Sequence, residues 1–363
     1  MTGKRYRVVH CGTGATGRFG IPGVVHHPDL DLVGHLVFDP AKEGKDAGEF
    51  CSPGPDLGIT ATQDIDALIA LKPDCLCFFG DGLGHLQDSL AVICRFLQAG
   101  VNVATASLYE LSYPASAPGE TRQLVEKACA NGNSTFYNGG YDPGTAVPWM
   151  PTALLKMADE ITQIRMQEIS NYAVYNVEWI MRDVYGFGKP ADYRGLLADG
   201  SVFKQSFIGS VNAVASRMGI ALEDWRVFFE NCTHDNTHET TWGTVEAGTV
   251  AAVRFGVEGV YKGKPFIILE HVNRSTLDAA PHWPQPRWEE GSKMQHQHVG
   301  IIEGEPHLEC RIDSGVPTRD GSDGGLVATA MVIVNAVPVV VEHAPGLVDE
   351  MDLPLYAARN VRV

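Results

Sequence analysis

The chain has 363 residues, 44% of them hydrophobic and 20% charged, which supports one large or two ordinary domains with real cores and argues against a disordered chain. A formal net charge of −16 argues against nucleic acid and anionic membrane as partners, so an anionic ligand must be held by backbone amides, a helix terminus and a few local cations. The eight cysteines are scattered as expected for buried free thiols, no stretch approaches the roughly 20 apolar residues that cross a membrane, and residues 1–5 lack a signal-peptide core, so the expected location is the cytoplasm.

The first pattern along the chain is a short apolar strand running into Gly12-Thr13-Gly14-Ala15-Thr16-Gly17, then a helix-length segment, then a second strand over residues 32–38 that closes on Asp39. This is the order of a βαβ unit that holds a dinucleotide. Gly12 permits the tight turn, Gly14 lets the backbone approach a pyrophosphate, and Gly17 lets the helix pack on the sheet. Thr13, Ala15, Thr16 and Arg18 complete the candidate cofactor contacts of the turn, and Asp39, 22 residues after Gly17, offers an acceptor to a ribose hydroxyl. Asp39 favours NADH over NADPH, because a carboxylate repels a 2′-phosphate; Arg18 and Lys42 pull the other way, and use of both cofactors stays open. Pro22 and Gly23 predict a kinked or short helix.

The alternation continues with a helix over 64–71, a buried strand over 74–79, a helix over 86–100, a strand over 101–105, a helix over 120–131 and a strand over 134–137. Strands alternating with helices predict a parallel sheet of Rossmann type with ligands at the carboxyl ends of its strands, where loops 80–85, 106–114 and 138–144 fall. Gly80, Thr105 and Ala106 are further candidate cofactor contacts there.

From residue 148 the texture changes to a helix-like stretch followed by strand-like runs over 164–172, 244–256 and 265–272. These predict an α+β domain on a mostly antiparallel sheet, one face buried and the other able to serve a subunit interface, hence a homodimer. A helix over 324–334, with residues 335–338, returns to the first domain. The expected boundaries are 1–147 for the dinucleotide-binding domain, 148–323 for the substrate and oligomerisation domain, and 324–363 for the returning segment.

Taken together, the glycine turn 12–17, Lys45-Asp46-Ala47-Gly48-Glu49, Tyr109-Glu110-Leu111-Ser112-Tyr113-Pro114, Asp142-Pro143-Gly144, Ala328-Thr329-Ala330 and Val334-Asn335-Ala336-Val337-Pro338 resemble the 2,4-diaminopentanoate dehydrogenases and native amine dehydrogenases, which share their two-domain architecture with dihydrodipicolinate reductase. The resemblance spans nearly the whole chain. It implies an NAD- or NADP-dependent oxidoreductase that deaminates a small amine oxidatively, or aminates a small ketone or aldehyde with ammonia in reverse. Glu110 then matches the family's catalytic glutamate, and a carboxylate at that loop can deprotonate ammonium or the carbinolamine; the competing reading is a solvated loop carboxylate or a helix cap. The paired histidines and nearby lysine of dihydrodipicolinate reductase have no equivalent, which points away from that reduction.

Tyr141, Trp149, Tyr172, Tyr175 and His271 suit a pocket for a small, largely apolar carbonyl or amine, against the plainer reading of core aromatics. Arg182 is a candidate for a substrate carboxylate by position. Asn335 could bond the nicotinamide carboxamide, or simply cap a helix or form a turn. His296 with His298, and His234 with His238, have metal-like spacing but no companion glutamate or cysteine, so no metal is expected. No G-x-S-x-G elbow offers serine chemistry. Two other readings stand beside the leading one: an alcohol or carbonyl oxidoreductase that works without ammonia, and a protein that senses NAD(P)H without catalysis.

Overall fold

The computed structural model describes residues 4–51, 54–198, 200, 204–288, 292, 294–316 and 323–361. Strand β1 (Tyr6–Cys11) is almost wholly buried, α1 (Gly17–His26) follows the glycine turn, and β2 (Leu30–Leu36) returns. Despite Pro22 in its interior, α1 reaches His26, ten residues in all. Then come β3 (Ala61–Thr62), α2 (Ile65–Ala70), β4 (Cys75–Phe78), α3 (Leu86–Gln98), β5 (Asn102–Thr105), α4 (Gly119–Gly132) and β6 (Thr135–Asn138). The next part holds α5 (Trp149–Leu154), β7 (Glu160–Asn171), α6 (Lys204–Arg217), β8 (Asp224–Thr233), β9 (His238–Thr240), β10 (Gly243–Val245), β11 (Val250–Tyr261), β12 (Lys264–Arg274), β13 (His296–Glu305) and β14 (Leu308–Ser314). The chain closes with α7 (Asp323–Glu342) and β15 (Gly346–Val348).

These elements form two compact units, Met1–Thr145 with Leu326–Val363, and Ala146–Gly325. Unit 1 is a seven-stranded sheet in the order β3-β2-β1-β4-β5-β6-β15, with every neighbouring pair parallel. Parallel strands bury both faces, and the helices supply both covers. One face packs Phe96, Leu97 and Val125 of α3 and α4, and the other packs Val24 of α1 with Ile333, Val337 and Val340 of α7. This strand order is that of a doubly wound Rossmann-type sheet, so the carboxyl ends of β1, β2, β4, β5 and β6 share one edge.

Helix α7 corrects two expectations. It is 20 residues long with a mean hydropathy of 2.1 over its most apolar window, so one described helix does have the length and composition to cross a membrane. It also runs through Asn335 and Pro338 instead of ending near residue 334. Its buried residues Ile333, Val334, Ala336, Val337 and Val340 pack with Tyr6, Val24 and Tyr137, the packing expected of a core helix. Gly23 admits it: a Cβ there would stand 2.3 Å from Met331 Cε.

Unit 2 contains a six-stranded sheet in the order β14-β13-β7-β12-β11-β8 and a small β9-β10 hairpin. The larger sheet is mixed, not mostly antiparallel as expected, because β7 and β12 at its centre run parallel. The connection between them, residues 172–263, contains α6 and four strands, the long crossover that a parallel pair requires. The expected strand over 244–256 is also broken: Thr249 N–H donates to Glu246 O, and the turn at Gly248, with φ of +78°, separates β10 from β11. On one face of the sheet Met166, Phe255, Val257 and Leu269 pack with Phe207, Val211 and Val214 of α6.

Candidate functional site

At the carboxyl edge of unit 1 the glycine turn is shaped by close approach. A Cβ on Gly12, whose φ is +100°, would stand 2.5 Å from Phe79 O, and one on Gly17 would stand 2.5 Å from Gly12 O. Gly14 differs: its missing side chain leaves open space, with no protein atom within 4 Å. Thr16 is the N-cap of α1, and Arg18 N–H donates to Gly14 O. The structure brings Lys42 to this turn, its Nζ donating to Thr13 Oγ1 at 2.8 Å. Asp39 caps the short turn 40–42 by accepting from Ala41 N–H at 2.9 Å. Gly80 and Ala106 follow β4 and β5. The Thr105 hydroxyl is occupied within the sheet, donating to Phe78 O and accepting from Ser107 N–H.

Glu110 lies in the single 3₁₀ turn Tyr109–Leu111, beyond the carboxyl end of β5. Its Oε1 is buried and has no hydrogen-bond partner among the described residues. A buried polar atom without a partner is rare and calls for a ligand or a mechanistic reason. The turn is held by a residue that sequence reading missed: Asn138, fully buried at the end of β6, accepts from Leu108 N–H at 2.9 Å and donates to Ser112 Oγ at 2.8 Å. Tyr141, also buried, sits three residues further along.

In unit 2 three neighbouring strands place His298, Glu168 and His271 side by side in register. Paired residues share a face, so the three side chains form a row across β13, β7 and β12. Glu168 is buried, and its Oε1 accepts from Asn273 Nδ2 at 2.7 Å and from Tyr172 Oη at 3.2 Å. His271 Nδ1 stands 3.4 Å from Oε1, and His298 Nε2 stands 3.7 Å from Oε2. Burial, then the Glu168 charge, pushes the Tyr172 phenol well above its ordinary value, so it is a neutral donor. Phe207 and Phe255 flank the His271 ring with centroids 4.7 and 5.4 Å away. Of the expected pocket residues, Tyr172, Tyr175 and His271 fall in or beside this cluster, and Tyr175 stacks obliquely on Tyr172 at 5.4 Å. Trp149 instead opens α5. Glu168 and Asn273 were missed, although a glutamate at an inward position of an alternating strand is itself a signal.

Other candidates are engaged elsewhere. Arg182 Nε pairs with Glu178 at 2.9 Å and its guanidinium lies over the Trp242 ring at 5.2 Å, a local structural use. Asn335 is half-buried in the interior of α7, which replaces the cap or turn considered for it. His234 pairs with Asp278 and His238 bonds Ser275 Oγ at 2.9 Å, while His296 bonds Ser170 Oγ at 2.8 Å.

Comparison with known proteins gives four further findings. Residues 149–362 match the 2,4-diaminopentanoate dehydrogenase C-terminal domain family. A protein of Streptomyces virginiae described as an amine dehydrogenase is 35% identical over 348 residues, 96% of each chain. Among solved structures, an amine dehydrogenase from Mycobacterium smegmatis superposes with a TM-score of 0.74 at 19% identity, covering 99% of both chains. A dipicolinate-bound dihydrodipicolinate reductase from Paenisporosarcina sp. TG-14 gives 0.50 at 13% identity, covering 96% of this chain and 98% of that one.

Proposed function

The chain belongs to the 2,4-diaminopentanoate dehydrogenase family, an oxidoreductase acting on amines with a nicotinamide cofactor, and from that premise we propose that Glu110 is its proton-transfer group. The observation that carries this assignment is the buried, unpartnered Oε1 of Glu110 at the carboxyl edge of a Rossmann-type sheet. In the aminating direction ammonia adds to the carbonyl carbon. Glu110 takes a proton from the added nitrogen and returns one to the hydroxyl that leaves as water. In the deaminating direction it does the reverse. Such proton transfer contributes about 10²- to 10⁴-fold in rate. Asn138 serves this step by fixing both ends of the turn on which Glu110 stands.

The residues fit a dinucleotide, because the open space at Gly14 exposes backbone amides beside the N-terminus of α1, where a pyrophosphate is favoured. Gly12, Thr13, Gly14, Ala15, Thr16, Gly17 and Arg18 would hold the phosphates, Asp39 and Lys42 the adenosine ribose, and Gly80, Thr105, Ala106 and Asn335 the remainder. When bound, the nicotinamide supplies and accepts the hydride. We assign NADH as the preferred form on the Asp39 carboxylate, with Lys42 on Thr13 leaving a cation for NADPH. Tyr141, Trp149, Tyr172, Tyr175 and His271 line the substrate pocket in this reading. Ammonia is the nitrogen donor, and the enzyme is a cytoplasmic homodimer joined through the sheet of unit 2.

The test is oxidation of NADH and NADPH at 340 nm with small ketones and aldehydes, with and without ammonium, on the wild type and Glu110→Gln. Ammonium-dependent turnover that falls at least about 100-fold in Glu110→Gln, with cofactor affinity within about threefold, is the expected result. Turnover without ammonium would make it a carbonyl reductase, and an active Glu110→Gln would remove Glu110 from the mechanism. Light scattering reads the dimer.

A further inference from the structure

Resting on the reading of Glu110 as the proton-transfer group, we infer that Glu350 is a positioning residue for that reaction: its carboxyl staples the base of loop 138–145, and that loop, through Asn138, holds the Glu110 turn in place. All of these residues belong to unit 1. Strand β15 pairs in parallel with β6, Val348 opposite Tyr137, so Glu350 emerges at the carboxyl edge beside the start of the loop. Glu350 is 8% exposed, and among the described residues no cation pairs with it. Three hydroxyls donate to it instead: Tyr137 Oη to Oε2, Thr145 Oγ1 to Oε1 at 3.2 Å, and Tyr356 Oη to the two oxygens at 3.2 and 3.3 Å. Burial pushes its carboxyl above the ordinary range even so.

A buried carboxyl without a cation is a poor way to gain stability, since its desolvation is set only against neutral donors. What it grips is specific. Tyr137 immediately precedes the loop and Thr145 ends it, so one carboxyl holds both ends. The loop closes at the same place: Thr145 N–H donates to Gly140 O at 2.9 Å, and a Cβ on Gly144 would stand 2.2 Å from that oxygen. Tyr137 also lies against the loop's backbone, because a Cβ on Gly139 would stand 2.0 Å from its Oη. Between Tyr137 and Gly139 comes Asn138, whose side chain accepts from Leu108 N–H and donates to Ser112 Oγ on either side of the turn Tyr109–Leu111. The path from Glu350 to Glu110 is therefore one stapled loop and one amide, with Tyr356 of the carboxyl-terminal segment fastening the staple.

The experiment compares the wild type with Glu350→Ala, Glu350→Gln, Thr145→Val and the double variant Glu350→Ala/Asn138→Ala. Glu350→Ala should lower kcat about tenfold with cofactor Kd within about threefold, the loss expected when a catalytic group is loosened. Glu350→Gln keeps the shape and an acceptor for the Tyr137 hydroxyl, and it should restore most of that loss. The double variant should be no slower than Asn138→Ala alone, because both changes act through one contact; losses that multiply would overturn the path through Asn138. Hydrogen exchange needs no turnover: the amides of Leu108 and Thr145 should exchange at least about tenfold faster in Glu350→Ala while β1 and β4 keep their protection. Unchanged exchange at these amides, or unchanged kcat despite faster exchange, overturns the proposal. If Glu350→Ala does not fold, Thr145→Val reads the same quantities with one bond of the staple removed: faster exchange at Thr145 with kcat about threefold lower supports it, and no change in either overturns it. If the wild type needs no ammonium, or Glu110→Gln stays active, the functional reading fails on its own, and exchange at Leu108 still decides whether Glu350 holds the turn.

Discussion

Glu168 and Glu270 stand one register step apart on the two central strands of unit 2, and because strand side chains alternate they face opposite sides of one sheet. Glu270 is fully buried and gripped by cations: Arg165 Nη1 at 2.6 Å on one oxygen, Arg254 Nε and Nη2 at 2.8 and 2.7 Å on the other, with Gln167 Nε2 at 2.6 Å. Burial alone would push its carboxyl up, but Arg165, Gln167 and Arg254 more than reverse that, and the net shift is downward. Glu168 is also buried, and among the groups around it are the Asn273 amide, the Tyr172 phenol and the His271 and His298 imidazoles, the last two at 3.4 and 3.7 Å. The difference teaches that buried charge is met in two ways within one sheet: guanidiniums on both oxygens carry a fixed counter-charge for Glu270, whereas Glu168 is surrounded by an amide, a phenol and imidazoles.

The contrast breaks most readily at Glu270. Glu270→Ala leaves two half-buried guanidiniums facing each other and should cost about 3–5 kcal/mol of unfolding free energy in urea titrations. Its acid response has a defined sign: the depressed carboxyl stabilises the fold above its unfolded value of 4.5 and that contribution is lost as pH falls through the folded value.

A second buried ionisable pair lies in unit 1, where His10 and His35 face each other on β1 and β2 with Nδ1 atoms 3.2 Å apart. Burial, then His35, holds His10 well below its ordinary range, and burial lowers His35 to about 4. Both stay neutral in the fold while the unfolded chain takes up protons near 6.5, so stability is present above that pH and declines towards pH 4. For His35 alone the loss is about 3 kcal/mol. The double variant His10→Leu/His35→Leu should flatten stability between pH 6.5 and 4; an unchanged slope would exclude the pair as its source.

Smaller effects sharpen the comparison. Asn138→Ala frees the Glu110 turn and should lower kcat about tenfold, or about 1.4 kcal/mol, with cofactor affinity nearly unchanged. Glu168→Gln should change unfolding free energy by less than about 1 kcal/mol, because it removes a buried charge while keeping the shape. A loss as large as that of Glu270→Ala would make Glu168 a second structural clamp.

Unit 1 was largely legible because its signals are local. The glycine turn, the apolar strands and the amphipathic spacing of α3 each lie within one element or its neighbour, and parallel strands then place Gly12, Asp39, Gly80 and Glu110 at one edge. Unit 2 was not. The pairing of β7 with β12 joins residues about a hundred positions apart, and the row His298, Glu168, His271 exists only through that register and the one between β7 and β13. No periodicity along a single strand encodes which strand lies beside it. Helix α7 outran its expected end at residue 334 for a simpler reason: its packing on the rest of unit 1 outweighs the one hydrogen bond that Pro338 removes.

The first unit is interrupted: its sheet ends on β15 and its second cover is α7, both encoded after the whole of unit 2. During synthesis the opening 145 residues therefore leave the ribosome with one face of their sheet covered by α1 but without α7, and they wait for that later-encoded helix to complete it. At about 5–20 residues per second that wait lasts roughly 10 to 40 s. Unit 2, continuous in sequence, is fully translated before that cover emerges, so the later-encoded half of the protein can finish folding before the half encoded first.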